Sequence, residues 1–238
     1  MKHHLVIGAG EVGRGLTEVT GWDLADVHTE HDFDDEYDVI HIAFPHMETG
    51  FTDEVDRYAR IHNADIVVVH STVPVGTCDP RGWLHAPIRG RHPNLAEGIQ
   101  TFTMPVGGMS SADVDTVRDA LREHGIASDP FPNARTTELG KLLELAQYGV
   151  EIRMQKEAYW LAREYGVDPE HAYRAFGKRY NLGWQRLADR RFVKPVLDEL
   201  PGPIGGHCVS ENTPMLRSEF FTEALRPISR ETWDERLT

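Results

Sequence analysis

The sequence is poor in cysteine, in basic residues and in long hydrophobic runs, and each shortage excludes a class of protein. Its 238 residues include only two cysteines, too few for a disulfide framework, which indicates a reducing compartment, here expected to be the cytoplasm. Lysine and arginine number 25 against 38 acidic residues, a net charge of −13, so we expect no nucleic-acid partner and no anionic membrane surface. No apolar run approaches the ~18 residues that suggest a membrane span.

Metal binding is not expected either. The chain has 13 histidines, but they contain no H-x-x-x-H pair that one face of a helix would present to a metal ion. The hydrophobic fraction of 40% is nevertheless ordinary for a globular protein, so the chain is long and apolar enough to bury a core.

The first half of the chain alternates between strand-like and helix-like segments. Short apolar runs bounded by Gly, Pro or Asp read as buried strands, and the stretches between them are compatible with helices. This alternation predicts an α/β fold with a Rossmann-type parallel sheet. The predicted strands are Leu5–Ile7, Asp23–His28, Val39–Phe44, Ile66–Val69, Leu84–Ala86 and Met104–Val106, and the predicted helices are Glu11–Thr20, Thr49–His62 and Ala112–His124.

The second half reads as helical. Apolar residues at helical spacing after Thr136 predict one long helix of about thirty residues that ends at Gly166. Two short helices over 168–190, a loop over 201–206 and one last helix with a tail are expected after it. We therefore predict a Rossmann domain over 1–134 and a small all-helical domain over 135–238. Because so small a domain is led by an apolar-faced helix, a homodimer is expected.

A glycine fingerprint follows the first predicted strand. Gly8-Ala9-Gly10-Glu11-Val12-Gly13 matches G-x-G-x-x-G between a strand and a helix, the context in which this motif binds the pyrophosphate of a dinucleotide. The acidic residue expected ~20 residues later is missing. The nearest position is His28, with Asp26 and Glu30 on either side, so NAD and NADP both stay open. The predicted cofactor-binding residues are Gly8, Gly10, Glu11, Val12, Gly13, His28, Phe44, Pro45, Ser71 and Thr72.

Three further segments carry a family resemblance. They are His70-Ser71-Thr72-Val73-Pro74-Val75-Gly76-Thr77, Thr137-Glu138-Leu139-Gly140-Lys141-Leu142 and Gly205-Gly206-His207-Cys208-Val209. In this order they resemble the UDP-glucose/GDP-mannose (nucleotide-sugar) 6-dehydrogenases. That family oxidises a sugar alcohol to a carboxylate by two hydride transfers to NAD. The resemblance implies Cys208 as nucleophile, Lys141 as the ammonium beside the reacting oxygen, and Thr72 near the nicotinamide.

The chain departs from this family at three catalytic positions. Ile88 stands where the family has a glutamate that helps to hydrolyse the thioester. Leu145 replaces an asparagine, and Asn212 replaces an aspartate. The segment around Ile88 instead carries Arg89, Arg91 and His92, which we predict as a site for the anionic group of a substrate. The chain also ends where the family continues into a second α/β domain.

The sequence therefore predicts a nicotinamide-dependent oxidoreductase that acts on an alcohol or aldehyde, anionic or nucleotide-linked. Two alternatives stay open. One is a non-catalytic protein that binds a dinucleotide or nucleotide, or a partner subunit, which the three departures favour. The other is a Rossmann enzyme of different chemistry, such as a methyltransferase, because a glycine-rich turn also serves S-adenosylmethionine. Cys78 lies in a turn and is interpreted as structural.

Overall fold

The computed structural model describes residues 2–26, 36–200, 202, 204 and 207–225. The predicted ribose-binding position His28 lies outside the described residues, and so do Gly205 and Gly206 of the segment before Cys208. The chain divides into two compact units, Met1–Lys141 and Leu142–Thr238. The boundary predicted at 134/135 stays a prediction.

The first unit is built on one seven-stranded sheet with the order β2-β1-β3-β4-β5-β6-β7. Each of the four-residue strands β1, β3 and β4 is buried along its whole length, as its run of apolar residues predicts. The direction of strand order reverses at β1, where open α/β sheets place their ligands. The strands are β1 His4–Ile7, β2 Asp23–Ala25, β3 Val39–Ile42, β4 Ile66–Val69, β5 Leu84–His85, β6 Met104–Gly107 and β7 Ser128–Phe131.

Helices cover both faces of the sheet. One core cluster packs Leu5, Ile40 and Val67 against the helix that carries Phe51 and Val55. The other cluster joins the alternate strand residues to three further helices. The α-helices that lie wholly within the described part of this unit are α1 Glu11–Thr20, α2 Phe51–Ile61, α3 Leu95–Thr101 and α4 Ser111–Glu123.

Two features of the sheet differ from the sequence-based prediction. Strand β6 pairs antiparallel with β5, because the segment between them does not carry the chain back across the sheet before β6 begins. Strand β7 was not predicted, because its sequence, Ser-Asp-Pro-Phe, is polar and contains proline. Its residues are mostly exposed, at the edge of the sheet. Helix α3 was also missed, because its seven residues include a glycine and follow a loop.

The long predicted helix is α5, Ala134–Glu164. The helix is terminated by Gly166, two residues after its last residue, which has a φ of +68° and donates its N–H to Arg163 O at 3.0 Å. The two short helices predicted over 168–190 form one continuous run, in which a π-helix, Glu170–Ala175, leads into α6, Phe176–Arg186. The described part ends with α7, His207–Asn212, and α8, Glu219–Ala224. The predicted class, a mostly parallel Rossmann-type sheet followed by helices led by a long one, is confirmed.

Within the described residues, none of the helices combines the length and the hydrophobicity needed to cross a membrane.

Candidate functional site at the carboxyl edge of the sheet

The glycine fingerprint forms a tight turn between β1 and α1. Gly8 has a φ of +114°, and a Cβ atom there would lie 2.8 Å from the backbone nitrogen of Phe44. A Cβ atom on Gly13 would lie 1.9 Å from Gly8 O, so the helix can approach the strand only because this residue is glycine. Gly10 differs from both, since a Cβ atom there would meet nothing within 4 Å. The first and third glycines therefore serve the fold, and the second leaves open space above the turn.

The amino end of α1 faces this space without a side-chain cap. Gly10 occupies the N-cap position in an extended conformation. Because glycine has no side chain, the N-cap residue makes no side-chain hydrogen bond to the first turn of the helix. The first N–H groups of a helix have no partner inside the helix and, with the helix dipole, favour a bound anion. The open space at Gly10 and the uncapped amides fit the pyrophosphate of a dinucleotide.

Charged side chains surround the turn. The Arg14 guanidinium donates from Nε to Ala9 O at 2.7 Å, which places a positive charge beside the glycine loop. The carboxylate of Glu11 is in direct contact with Nδ1 of His92, from the segment that follows β5. The residues 89–94 are thereby anchored beside the amino end of α1.

The Ser71-Thr72 segment is fixed where β4 ends. Ser71 donates its hydroxyl to Phe44 O at 2.5 Å, and its own carbonyl accepts the ring N–H of His85 at 3.2 Å. Thr72 is half-buried, whereas Pro45 is exposed. The structure thus brings the predicted cofactor residues Phe44 and Ser71 into contact at the edge where Gly8 also lies.

A buried glutamate holds the rest of this loop. Glu138, in the first turns of α5, is fully buried and accepts N–H bonds from Gly76 at 2.6 Å and from Cys78 at 2.8 Å. Burial, and secondly the Glu138 carboxylate, raise the pKa of the Cys78 thiol, which stays protonated and unreactive.

One turn later on the same helix, Lys141 reaches the segment after β5. Its Nζ donates to Ile88 O at 3.0 Å. The Ile88 side chain, at the position where the family carries a glutamate, is buried. Because this residue is isoleucine, it offers no carboxylate to the lysine, but its backbone carbonyl still binds the lysine ammonium.

The predicted anion-binding residues turn toward different neighbours. Arg89 donates to Thr103 O at 3.3 Å, Arg91 forms a backbone bridge with Asn94, and His92 contacts Glu11. His92 therefore lies beside the glycine turn, and Arg89 is directed to the end of α3.

The predicted nucleophile belongs to the second unit. Cys208 lies in the first turn of α7, half-buried, and its backbone carbonyl accepts the side-chain N–H of Asn212 at 2.8 Å. The next residue, Val209, packs on Gly149 of α5, where a Cβ atom would come within 2.8 Å of it. The Asn212 side chain thus bonds within its own helix, at the position where the family has an aspartate. Leu145, the third departure, is half-buried on α5.

Sequence reasoning missed several residues that shape this edge. Arg14 could have been noticed, because it is a cation directly after the last glycine of the fingerprint. The roles of His70, His85 and Glu138 carry no local signal, since their partners lie far away in the sequence.

No protein-family model matches the chain. A curated relative, the UDP-N-acetyl-D-mannosamine dehydrogenase of Methanocaldococcus jannaschii, is 22% identical over 160 residues, which are 63% of this chain and 34% of that protein. The chain thus spans about a third of the length of this relative.

Solved structures with the same fold include dehydrogenases of the same kind. The UDP-D-ManNAc dehydrogenase of Pyrococcus horikoshii superposes with a TM-score of 0.72 at 18% identity, over 94% of this chain and 67% of that one. The UDP-glucose dehydrogenase of Pyrobaculum islandicum gives a TM-score of 0.62 at 18% identity, over 100% of this chain and 67% of that one. The resemblance to nucleotide-sugar dehydrogenases read from the motifs is confirmed, and at this identity it establishes the fold.

Proposed function

We propose that the chain is a nicotinamide-dependent dehydrogenase of an alcohol or aldehyde, with NAD as cofactor and a nucleotide-linked sugar as the first substrate class to test. The observation that carries the proposal is the open space above Gly10, at the uncapped end of α1 and on the same sheet edge as Phe44 and Ser71. The names of the relatives support the nucleotide-sugar substrate class.

Three parts of the first unit have a role in this proposal. The amides at the start of α1 bind the pyrophosphate, and Phe44 with the Ser71-Thr72 segment shapes the nicotinamide end of the site. When bound, NAD supplies the acceptor for the hydride that leaves the substrate carbon. The Lys141 ammonium stabilises the negative charge that develops on the substrate oxygen.

The extent of oxidation is the second part of the proposal. Cys208 is proposed as the nucleophile for a second oxidation because of its motif alone. With Ile88, Leu145 and Asn212 at the positions of the family's polar catalytic groups, no side chain from those positions serves as the base that would hydrolyse a thioester. We therefore expect the reaction to release an aldehyde after one hydride transfer to NAD and loss of the hydroxyl proton to water.

The homodimer and the cytoplasmic location also remain proposals. Exposed apolar side chains on α5, such as Met154 and Leu161, support a partner chain. The low cysteine content supports a reducing compartment.

Cofactor binding is the first test. Calorimetry with NAD, NADP, their reduced forms and S-adenosylmethionine should show micromolar binding of one nicotinamide cofactor. Gly10→Ala should weaken this binding by about 10- to 100-fold, since a methyl group enters the space of the pyrophosphate. Because a Cβ atom at Gly10 meets no protein atom within 4 Å, the variant should keep the melting temperature of the wild type.

A matched control is Gly183→Ala on α6. A Cβ atom at this glycine would also meet nothing within 4 Å, so the same chemical change should leave NAD binding unaltered. Absence of nicotinamide binding would contradict the proposed dehydrogenase function and would favour a non-catalytic protein. Binding of S-adenosylmethionine instead would favour a methyltransferase.

Turnover is the second test. UDP-N-acetylmannosamine and UDP-glucose are offered with NAD, and the ratio of NADH to sugar consumed is measured together with the product. One NADH per sugar is expected. Lys141→Met should abolish turnover, and a Lys141 variant with full activity would contradict the proposed role. Two NADH per sugar, lost in Cys208→Ala, would show that the complete oxidation survives.

A further inference from the structure

Three buried histidines cross the sheet as a hydrogen-bonded row that the proposed mechanism does not use. His4 on β1 bonds through Nδ1 to Nε2 of His41 on β3 at 2.9 Å, and His41 Nδ1 bonds to His70 Nε2 at 2.9 Å. The row ends where His70 Nδ1 meets Ala86 O at 2.7 Å. We call His4, His41 and His70 the histidine row. It runs from the amino edge of the sheet to the edge that carries the Ser71-Thr72 segment.

The last bond fixes the tautomer of every ring in the row. A carbonyl oxygen only accepts, so His70 must carry its proton on Nδ1 and, when neutral, accept at Nε2. His41 must then donate from Nδ1, and by the same reasoning His4 donates from Nδ1 to His41. Trp22 stacks on both His4 and His41 with centroid distances of 4.3 Å each, which holds the rings in one orientation.

A fourth histidine approaches the same segment from the opposite face of the sheet. His85 lies beside Val69 on the face away from the histidine row. Its Nε2 donates to Ser71 O at 3.2 Å, since a carbonyl cannot donate. Its Nδ1 therefore accepts the single hydroxyl proton of Thr137 at 2.8 Å, in preference to Ala134 O and His85 O, which lie 2.9 and 3.2 Å from the same hydroxyl. His85 thus holds the opposite tautomer from His70.

The surroundings keep these rings neutral. Burial lowers the pKa of His70 to about 4 and, aided by the nearby His70 and then by the Lys141 charge, it lowers the pKa of His85 to about 3. His4 faces Lys2, His3, Asp38 and His124, and burial is again the main cause that lowers its pKa, to about 4. Neutral rings are what the hydrogen-bond directions require.

We propose that His70 and His85 are positioning residues that hold the Ser71-Thr72 backbone from the two faces of the sheet for hydride transfer. The inference rests on the proposed function, because it assigns the pair to the segment beside the nicotinamide. His70 ties the end of β4 to the end of β5 through Ala86 O. His85 binds the Ser71 carbonyl itself, and the histidine row supplies the Nδ1–H of His41 that donates to His70 Nε2.

Asparagine and glutamine distinguish this role from simple filling of space. An asparagine amide nitrogen overlays histidine Nδ1, and a glutamine amide nitrogen reaches the place of Nε2. His70→Asn therefore keeps the donor to Ala86 O, whereas His70→Gln loses it. At His85 the order reverses, since His85→Gln keeps the donor to Ser71 O and His85→Asn loses it.

Two readouts are measured on the four variants. The first is amide exchange, by NMR, at positions 70 and 86, whose N–H groups bond to Ile42 O and Val69 O at 2.9 Å each. The second is kcat and KM for NAD with the UDP-sugar that the wild type oxidises. We expect His70→Gln and His85→Asn to exchange at least tenfold faster and to lose about 10- to 100-fold in kcat, the cost of a misplaced reacting group. Their KM for NAD should change little. The variants that keep the donor, His70→Asn and His85→Gln, should stay within about threefold of the wild type in exchange rate and in kcat.

The outcomes separate this inference from the proposed function. Two results would overturn the positioning role, whether or not the wild type turns over. One is that the same residue, asparagine or glutamine, is the better substitute at both positions. The other is that all four variants exchange at the same rate. If the wild type shows no hydride transfer, the proposed function fails and the positioning for hydride transfer fails with it, even where the exchange pattern is the expected one. Ring 15N shifts that place the proton on Nε2 of His70 would also overturn the inference.

Discussion

At the scale of single residues, the start of α5 shows how one helical turn serves both fold and chemistry. Glu138 binds the backbone of the Gly76–Cys78 loop, and Lys141, three residues later, reaches Ile88 O. Residues three apart lie on one face of a helix, so both side chains point toward the carboxyl edge of the sheet. The motif indicated the lysine, but the partners of the glutamate could be seen only in the structure.

We expect Glu138→Gln to lower the free energy of unfolding by about 1–3 kcal/mol, because an amide nitrogen then faces one of the two buried backbone N–H donors. Urea denaturation at neutral pH measures the change. Glu164→Gln, exposed near the end of the same helix, is the matched control and should change stability little. Equal stability of the two variants would show that the Glu138 contacts contribute little.

At the scale of elements, the strand ends decide which side chains meet. The parallel strands β1, β3 and β4 end at one edge, and this explains why Gly8, Phe44 and Ser71 are neighbours although their segments are far apart in sequence. The same parallel register brings His4, His41 and His70 into one diagonal row across three strands.

This row and His85 make stability depend on pH. Their folded pKa values lie below the ordinary 6.5, so between about pH 4 and 6.5 the unfolded chain binds more protons than the folded one. Stability is complete above pH 6.5 and decreases as the pH falls through this window. Each ring adds up to ~1.4 kcal/mol per pH unit to the slope.

His85→Gln removes one of these rings and keeps the bond to Ser71 O. Urea denaturation between pH 4.5 and 6.5 should give a slope for this variant that is smaller by about one ring's contribution. Between pH 7 and 8 the two proteins should have parallel, flat profiles. An unchanged slope in the acidic window would mean that His85 is not held neutral by the fold.

At the scale of the whole molecule, the second unit leaves apolar side chains uncovered. Met154 is 61% exposed, Leu161 39% and Tyr165 79%, and all three lie on or just after α5. Exposed apolar surface of this kind on a helix is typical of an interface. It supports the homodimer expected from the sequence.

We expect sedimentation velocity to show a dimer for the wild type and a monomer for the double variant Met154→Glu/Leu161→Glu, because two buried charges would have to lose their hydration. Arg122→Glu on α4, whose side chain is 75% exposed, is the charge-changing control and should stay dimeric. A monomeric wild type at micromolar concentration would remove the dimer from the proposal.

The sequence by itself determined the fold class, the glycine turn and the long helix. These depend on local patterns: apolar strand runs, three glycines at fixed spacing, and helical periodicity after Thr136. It also identified Thr72, Lys141 and Cys208 as candidates, through motifs that are local strings of residues. Strand β7 and helix α3 were missed because neither has an apolar run of its own.

Only the tertiary structure decided which of these groups share an edge and what holds them there. The contact of Glu11 with His92 spans 81 residues, and the bond from Gly76 to Glu138 spans 62. The histidine row is another such case, since its register follows from how parallel strands align. Contacts over such separations arise from the packing of strands and helices, so no local pattern in the sequence predicts them.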